Sequence, residues 1–365
     1  MKTDSLKPRF RASLASLLTG VRILALPIVL GITLCSNPLH AQNAPASGGD
    51  PVVVDTQTKA TIKAALKFLA SKQRLDGSWS TAEGDSGHPI AMTGYNLLAF
   101  LAAGNLPGEG EYSKNVTAGM QYLLDSVQPD GLFRGVKAGQ YMYNHGIATI
   151  ALAEIYGESH VPTLRPKLQK MIDVILKAQD PIGGWRYTPQ PHGADISVTV
   201  LQVVALRAAQ EAGFAVPQEA IDKAAGYVSA CYNEAEGGFC YQPGKGAGFA
   251  RTAAAIYSLQ VLGKYDDPKV KSGSAYLFAH NKGREWSAYG NYYAAPAQYM
   301  VGGDTWRNWY SQARDSLNKS VKKQGDMAFW DDGSDNRKEL GPVFFTAVYV
   351  HVLSMPYHFV PLYQR

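Results

Sequence analysis

The sequence predicts an all-α fold, an (α/α)6 toroid in which six helical hairpins close into an inner and an outer ring of helices. Three observations carry this expectation. A loop signature recurs six times, two kinds of helix alternate along the chain, and no segment sustains the period-two alternation of a half-buried strand. The signature is clearest as Gln73-Arg-Leu-Asp-Gly77-Ser-Trp79 and as Gln179-Asp-Pro-Ile-Gly183-Gly-Trp185, both Gln-x3-Gly-x-Trp. Gln128-Pro-Asp-Gly131-Leu-Phe133 and Asn233-Glu-Ala-Glu-Gly237-Gly-Phe239 are looser copies. Asn281-Lys-Gly283-Arg-Glu-Trp286 and Gln324-Gly325, followed by Phe329-Trp330, are degenerate ones. Successive copies start 43 to 55 residues apart, the spacing of a repeat architecture.

The first element is a leader. Lys2, Lys7, Arg9, Arg11 and Arg22 form a basic region, an apolar run spans Ile23 to Cys35, and Leu39-His40-Ala41 suits a signal peptidase. Residues 1–41 are therefore expected to be a signal peptide, placing the mature chain in the periplasm or outside the cell. Cys35 follows Leu34 rather than a small residue, so no lipid anchor is expected. The leader holds five of the 35 Lys and Arg residues and one of the 30 Asp and Glu residues. The mature chain is then nearly neutral, which speaks against nucleic acid or an anionic membrane surface as partner. Two cysteines remain, Cys231 and Cys240, readable either as a disulfide closing a short loop or as two separate thiols.

Residues 42–58, rich in Ala, Pro, Ser and Gly, read as a flexible linker before a toroid domain at 59–365. The first outer helix puts Ile62, Ala65, Leu66 and Leu69 on one face, with Lys59, Lys63, Lys67 and Lys72 off it. Five further outer helices are expected near 114–127, 165–178, 218–232, 269–280 and 306–323. The inner helices are apolar nearly all round: Met92 to Ala103, Ile147 to Tyr156, Ile196 to Ala212, Thr252 to Leu262, Tyr292 to Val301 and Val343 to Leu353. Such helices are buried on both sides. Gly104, Gly157, Gly213, Gly263 and Gly302 supply C-terminal stops. In the signature itself, Gln caps frayed carbonyls or loop amides, Gly allows a positive φ, and the aromatic ring staples outer to inner helix.

The repeated Gln-x3-Gly-x-Trp, with Phe68-Leu69 ahead of Gln73, resembles the repeat of squalene and triterpene cyclases and of protein prenyltransferase β subunits. The likeness covers roughly residues 59 to 357. Asn144-His145-Gly146, Ala194-Asp195-Ile-Ser-Val-Thr199 and the ending Pro356-Tyr-His-Phe-Val-Pro-Leu-Tyr-Gln-Arg365 are similar to an exported bacterial group of prenyltransferase/squalene-oxidase repeat proteins. The resemblance implies the toroid, but the residues that carry its chemistry are missing. The cyclase motif Asp-x-Asp-Asp-Thr is met by Asp195-Ile-Ser197-Val-Thr199, with serine where the proton-donating Asp would stand. The prenyltransferase zinc histidine is met by Arg251, which has no free lone pair for a metal. The Cys-Gly-Glu-Gln thioester of complement-type toroids is absent, and Asp266-Asp267 and Asp331-Asp332 read as solvated loop residues. No metal and no cofactor are expected.

In a toroid the inner helices all start at one end, so their first turns converge on one mouth of a central cavity. His145, Asp195 and Arg251 are the candidate catalytic residues there, and Tyr143, Asn144, Thr252 and Tyr292 the candidate ligand-binding ones. Each has a plainer role open to it. Asp195 suits a helix N-cap, His145 a buried core position, Arg251 an ion pair with Asp195, and the tyrosines packing. Three functions follow. The first is a toroid binding a small-molecule, polymer or protein ligand at the polar and aromatic mouth. The second is a terpene cyclase or prenyltransferase-like enzyme. The third is a polysaccharide lyase or hydrolase using Tyr143, Asn144, His145 and Arg251. The site expectation requires these side chains to face the lumen rather than a helix–helix interface.

Overall fold

The computed structural model describes residues 52–81, 88–136, 138–281, 287–331 and 340–360. The expected leader and the cleavage site expected at Ala41, most of the stretch read as linker, Trp286 and most of the loop 331–341 lie outside the described residues. Twelve α-helices are found among those described. The outer ones are α1 (Thr56–Ser71), α3 (Ser113–Ser126), α5 (Leu164–Ala178), α7 (Gln218–Ala230), α9 (Pro268–Ala279) and α11 (Gly303–Ser320). The inner ones are α2 (Pro89–Ala102), α4 (Tyr141–Ser159), α6 (Ile196–Glu211), α8 (Phe249–Val261), α10 (Ser287–Val301) and α12 (Gly341–Ser354). Inner helices pack in the order α2, α4, α6, α8, α10, α12 and back to α2, so the inner ring is closed. This is the predicted all-α toroid.

The patterning explains the two rings. In α1, Ile62, Ala65, Leu66, Phe68 and Leu69 are buried while Lys59, Lys63 and Lys67, and Lys72 just past its end, are exposed. In α2 every residue from Ile90 to Ala102 is buried, and in α12 every residue from Val343 to Ser354. The ring is sealed where the first and last hairpins meet. Asn318 of α11 accepts from Thr61 Oγ1 at 3.0 Å and donates to Thr58 Oγ1 at 2.9 Å. Phe68 stacks on Phe329 with centroids 5.0 Å apart.

Some boundaries differ from expectation. Helix α1 starts at Thr56, inside the stretch read as linker, because the Asp55 carboxylate accepts from the Thr58 amide at 2.7 Å and Val54 is buried. Helix α4 starts at Tyr141, a full turn and more before the expected Ile147. Its polar first turn is buried rather than frayed, since Asn144 accepts from the Ala91 amide of α2 at 3.1 Å. Two short antiparallel ribbons also occur, β1 (Tyr232–Asn233) with β2 (Gly238–Phe239) and β3 (Lys322–Gln324) with β4 (Met327–Phe329). At two or three residues per strand they are too short to leave a period-two signal.

The signature loops act as clamps. Trp79 and Trp185 are fully buried, and their indoles donate to Leu69 O and Ile175 O, each at 2.7 Å. Trp330 does the same to Leu317 O at 3.0 Å. Gln73 Nε2 donates to Gly77 O and to Asn115 O of the next outer helix, each at 2.9 Å. Gln179 repeats this with Gly183 O at 2.8 Å and Ala220 O at 2.9 Å. Each clear copy therefore ties one hairpin together and then joins it to its neighbour. Gly183 has φ +103°, and a Cβ there would lie 2.1 Å from Lys223 O. Glycine is thus needed twice over, for conformation and for close approach.

Candidate functional site

The connection between Trp185 and the inner helix α6 is described throughout, and the chain there leads to the first turn of that helix. After Trp185 it passes Arg186 and Tyr187, and Asp195 then caps α6. Asp195 Oδ1 accepts from the Val198 amide at 3.0 Å. The carboxylate is completely buried, and its Oδ2 makes no well-formed hydrogen bond. Oδ2 faces Arg186, with Nε at 3.8 Å, and the Tyr241 hydroxyl. Burial raises the Asp195 pKa, and the Val198 amide, Tyr241 and Arg186 pull against that rise. Tyr241 reaches this point because its carbonyl accepts from the Ile196 amide at 3.0 Å. The Tyr187 and Tyr241 hydroxyls share a hydrogen bond. Tyr143 stacks on Tyr187 at 6.0 Å, and the Arg186 guanidinium lies 5.2 Å from the Tyr187 ring centre. Arg186, Tyr187, Tyr143 and Tyr241 are all half-exposed. Together they make an aromatic rim with one cation above one buried carboxylate.

The axis behind this rim is occupied by protein. Tyr95 of α2 meets Tyr292 of α10 edge-on at 5.3 Å and Phe344 of α12 at 5.1 Å. Tyr293 contacts Tyr289 at 4.9 Å and Tyr292 at 5.0 Å. Tyr289 reaches past α8 and donates to the Ser197 carbonyl of α6 at 2.8 Å. That serine holds the place matched to the cyclase acid, and a tyrosine from two positions round the ring is bonded to its backbone. Two cavities, a groove of about 320 Å³ and a smaller one of about 80 Å³, both lined by Gly104 and Phe359, lie beyond the C-terminal end of α2.

The structure separates the seven candidates. Asp195 and Tyr143 stand together at the rim. His145 does not join them. It is fully buried, its Nε2 bonds Met171 O of α5 at 2.9 Å, and it packs between Phe133 at 5.5 Å and Tyr141 at 5.8 Å. It faces the α4–α5 interface, and burial lowers its pKa to about 4. Arg251 turns toward the 240–248 turn, where Nη1 donates to Gly246 O at 3.1 Å. The expected Arg251–Asp195 pair is not formed, because Arg186 takes that place. Asn144 is spent between Ala91 N and Gln140 O. Tyr292 is one of the axial rings. Among the described residues, no three His, Cys, Asp or Glu side chains are grouped to hold a metal. Cys231 and Cys240 are buried, unbonded thiols.

Thr252 belongs to the clamp. Its hydroxyl accepts from the Phe239 amide at 2.8 Å. Thr93, Thr199 and Thr346 accept from the amides of Trp79, Trp185 and Trp330 at 3.0, 3.0 and 3.1 Å. In the second hairpin the Tyr141 hydroxyl takes the Phe133 amide. Replacing Thr199 by valine keeps the shape and orphans a buried amide, so urea unfolding should show a loss of about 1–3 kcal/mol. An unchanged midpoint would show that the hydroxyl is dispensable.

Sequence reasoning missed Arg186, Tyr187 and Tyr241. The available signal was position, since Arg186-Tyr187 follows Trp185 directly and Tyr241 lies two residues after Phe239.

Closed rings of parallel inner helices, joined through tryptophan clamps to antiparallel outer helices, define an α/α-toroid protein. The chain matches the prenyltransferase alpha-alpha toroid domain over residues 52–156 and 108–290, and it belongs to that family. It is 28% identical over 130 residues to drimenyl diphosphate synthase of Streptantibioticus cattleyicolor, covering 34% of this chain and 23% of that protein. The chain thus spans about a quarter of the length of that curated relative. A type II terpene cyclase from Scytonema, solved with geranylgeranyl dihydroxybenzoate, superposes with TM-score 0.57 at 14% identity, covering 83% of this chain and 98% of that one. An inactive α-1,6-mannanase from a Salegentibacter species, solved with α-1,6-mannotriose, superposes with TM-score 0.60 at 6% identity, covering 83% and 99%. At these identities the likeness is one of fold. Among the described residues no helix is long and apolar enough to cross a membrane.

Proposed function

We propose that this chain is an exported toroid protein that binds a ligand at the N-terminal mouth of its inner ring, on the rim of Tyr143, Arg186, Tyr187 and Tyr241 above Asp195. The observation that carries this reading is the filled axis. Tyr95, Tyr289, Tyr292, Tyr293 and Phe344 meet where a cyclase would hold its polyprene, and Ser197 offers no acid. Half-exposed tyrosine faces stack on the flat or apolar faces of a ligand, and Arg186 supplies a fork of donors for an oxygen-rich group. The leader expected at residues 1–41 favours a ligand met outside the cytoplasm.

A terpene cyclase-like activity is the second reading, favoured by the stretch shared with drimenyl diphosphate synthase. A glycan-cleaving activity is the third, consistent with a fold shared with the mannanase. One experiment distinguishes them. The protein is recovered from the periplasm, co-purifying small molecules are identified by mass spectrometry, and polyprenyl diphosphates, mannan and uronate polymers are offered as substrates. The expected result is a bound ligand and no turnover, with affinity falling roughly tenfold or more in Arg186→Ala and Tyr187→Ala. Cyclised product, or shortened polymer, would overturn the binding-only reading in favour of the corresponding enzyme.

A further inference from the structure

The β1–β2 ribbon pairs Tyr232 with Phe239 and Asn233 with Gly238. Continuing this register by one residue sets Cys231 directly opposite Cys240. The Cys240 amide donates to Cys231 O at 2.8 Å, so the register does continue. Directly opposed residues that share a ladder hydrogen bond have Cα atoms about 5.5 Å apart. Disulfides span Cα separations of roughly 4.4–6.8 Å. Opposed side chains also leave a ribbon on the same face. Both side chains are buried, and each thiol has a local neighbour: the Tyr227 hydroxyl for Cys231 and Lys245 O for Cys240.

We infer that Cys231 and Cys240 are a covalent modification site, joined by an intrachain disulfide when the chain meets a disulfide-bearing oxidant. Each thiol gives up one proton and one electron. The oxidant's S–S bond breaks, two thiols leave, and the Cys231–Cys240 bond forms. The bond ties the C-terminal end of α7 to the strand that delivers Tyr241, whose carbonyl accepts from the Ile196 amide. It holds that corner of the toroid whatever the mouth binds, and the inference stands on the ribbon alone.

Burial raises the Cys231 pKa to about 12, so its thiol is a poor nucleophile in the closed fold. Exchange therefore needs the ribbon to open, and the test is set accordingly. The purified, reduced full chain is held in oxidised glutathione just below its melting temperature, quenched in acid, denatured and alkylated. The tryptic peptide 224–245 carries both cysteines, and the exposed Glu234 and Glu236 lie between them. The expected result is loss of both alkylation sites and a peptide lighter by two hydrogens. Cleavage after Glu234 and Glu236 should then leave two fragments joined until reductant is added. Two alkylated cysteines, glutathione retained on either sulfur, or a bond between separate chains would each overturn the inference.

Discussion

Lowering the pH from 7.5 to 4.5 is expected to cost the folded protein several kcal/mol, through two histidines sealed in the helical packing. His145 and His351 are buried, and burial lowers each pKa from 6.5 to about 4. In the unfolded chain both rings take up protons below 6.5, while in the folded chain they stay neutral until about 4. Between those values the unfolded state binds more protons, so stability falls as the pH falls and levels off below about 4. A shift of this size corresponds to about 3 kcal/mol for each ring, or about 6 kcal/mol together. Asp195 works the other way. Its folded pKa is raised, so on acidification the folded state takes up that proton before the unfolded state does, and part of the loss is offset. Urea midpoints at pH 7.5, 6, 5 and 4.5 read the effect, and His145→Gln should remove about half of it. Equal midpoints across the series would mean that both rings are protonated in place or reached by water.

The same histidine shows how far sequence could go. His145 opens a helix beside Tyr143 and Asn144, and polarity at an inner-helix start suggested a lumen-facing site. Periodicity reports which residues are buried, but not which of two buried sides they face, and an inner helix is buried on both. His145 turned outward because α5 offers the Met171 carbonyl, a partner 26 residues along the chain with no local signature. The repeat, by contrast, was legible because the Gln, Gly and Trp of its two clear copies act within the loop: a cap, a positive φ and a staple. Asp195 was legible for the same reason, since an N-cap is written within four residues. Arg186, Tyr187 and Tyr241 were not, because their grouping depends on two loops 54 residues apart meeting at the start of α6. Thr252 was read as a ligand-binding residue, and its buried hydroxyl is engaged within the clamp. Its partner is the backbone amide of Phe239, and backbone amides leave no mark in composition.

Replacing Trp185 by alanine is expected to destabilise the fold by about 4 kcal/mol, near the upper range for emptying a large buried site. The ring is fully buried, and its removal also strands the Ile175 carbonyl that the indole satisfies at 2.7 Å. Trp185→Phe should recover part of the packing and none of that hydrogen bond, falling between the two. The substitution leaves the Trp185 amide in place, so the bond to Thr199 survives it. Indole and hydroxyl therefore support the hairpin through different atoms. Trp185→Ala combined with Thr199→Val should depart from the sum of the two single effects by about 0.5 kcal/mol, the low end of the coupling between residues in contact. A coupling well above that would mean that the loop backbone collapses once the indole is gone. The clamp would then be one cooperative unit, in which the threonine matters only while the tryptophan holds the loop in place. Denaturant melts of the four proteins measure that coupling, with circular dichroism confirming that each starts from the same helical content.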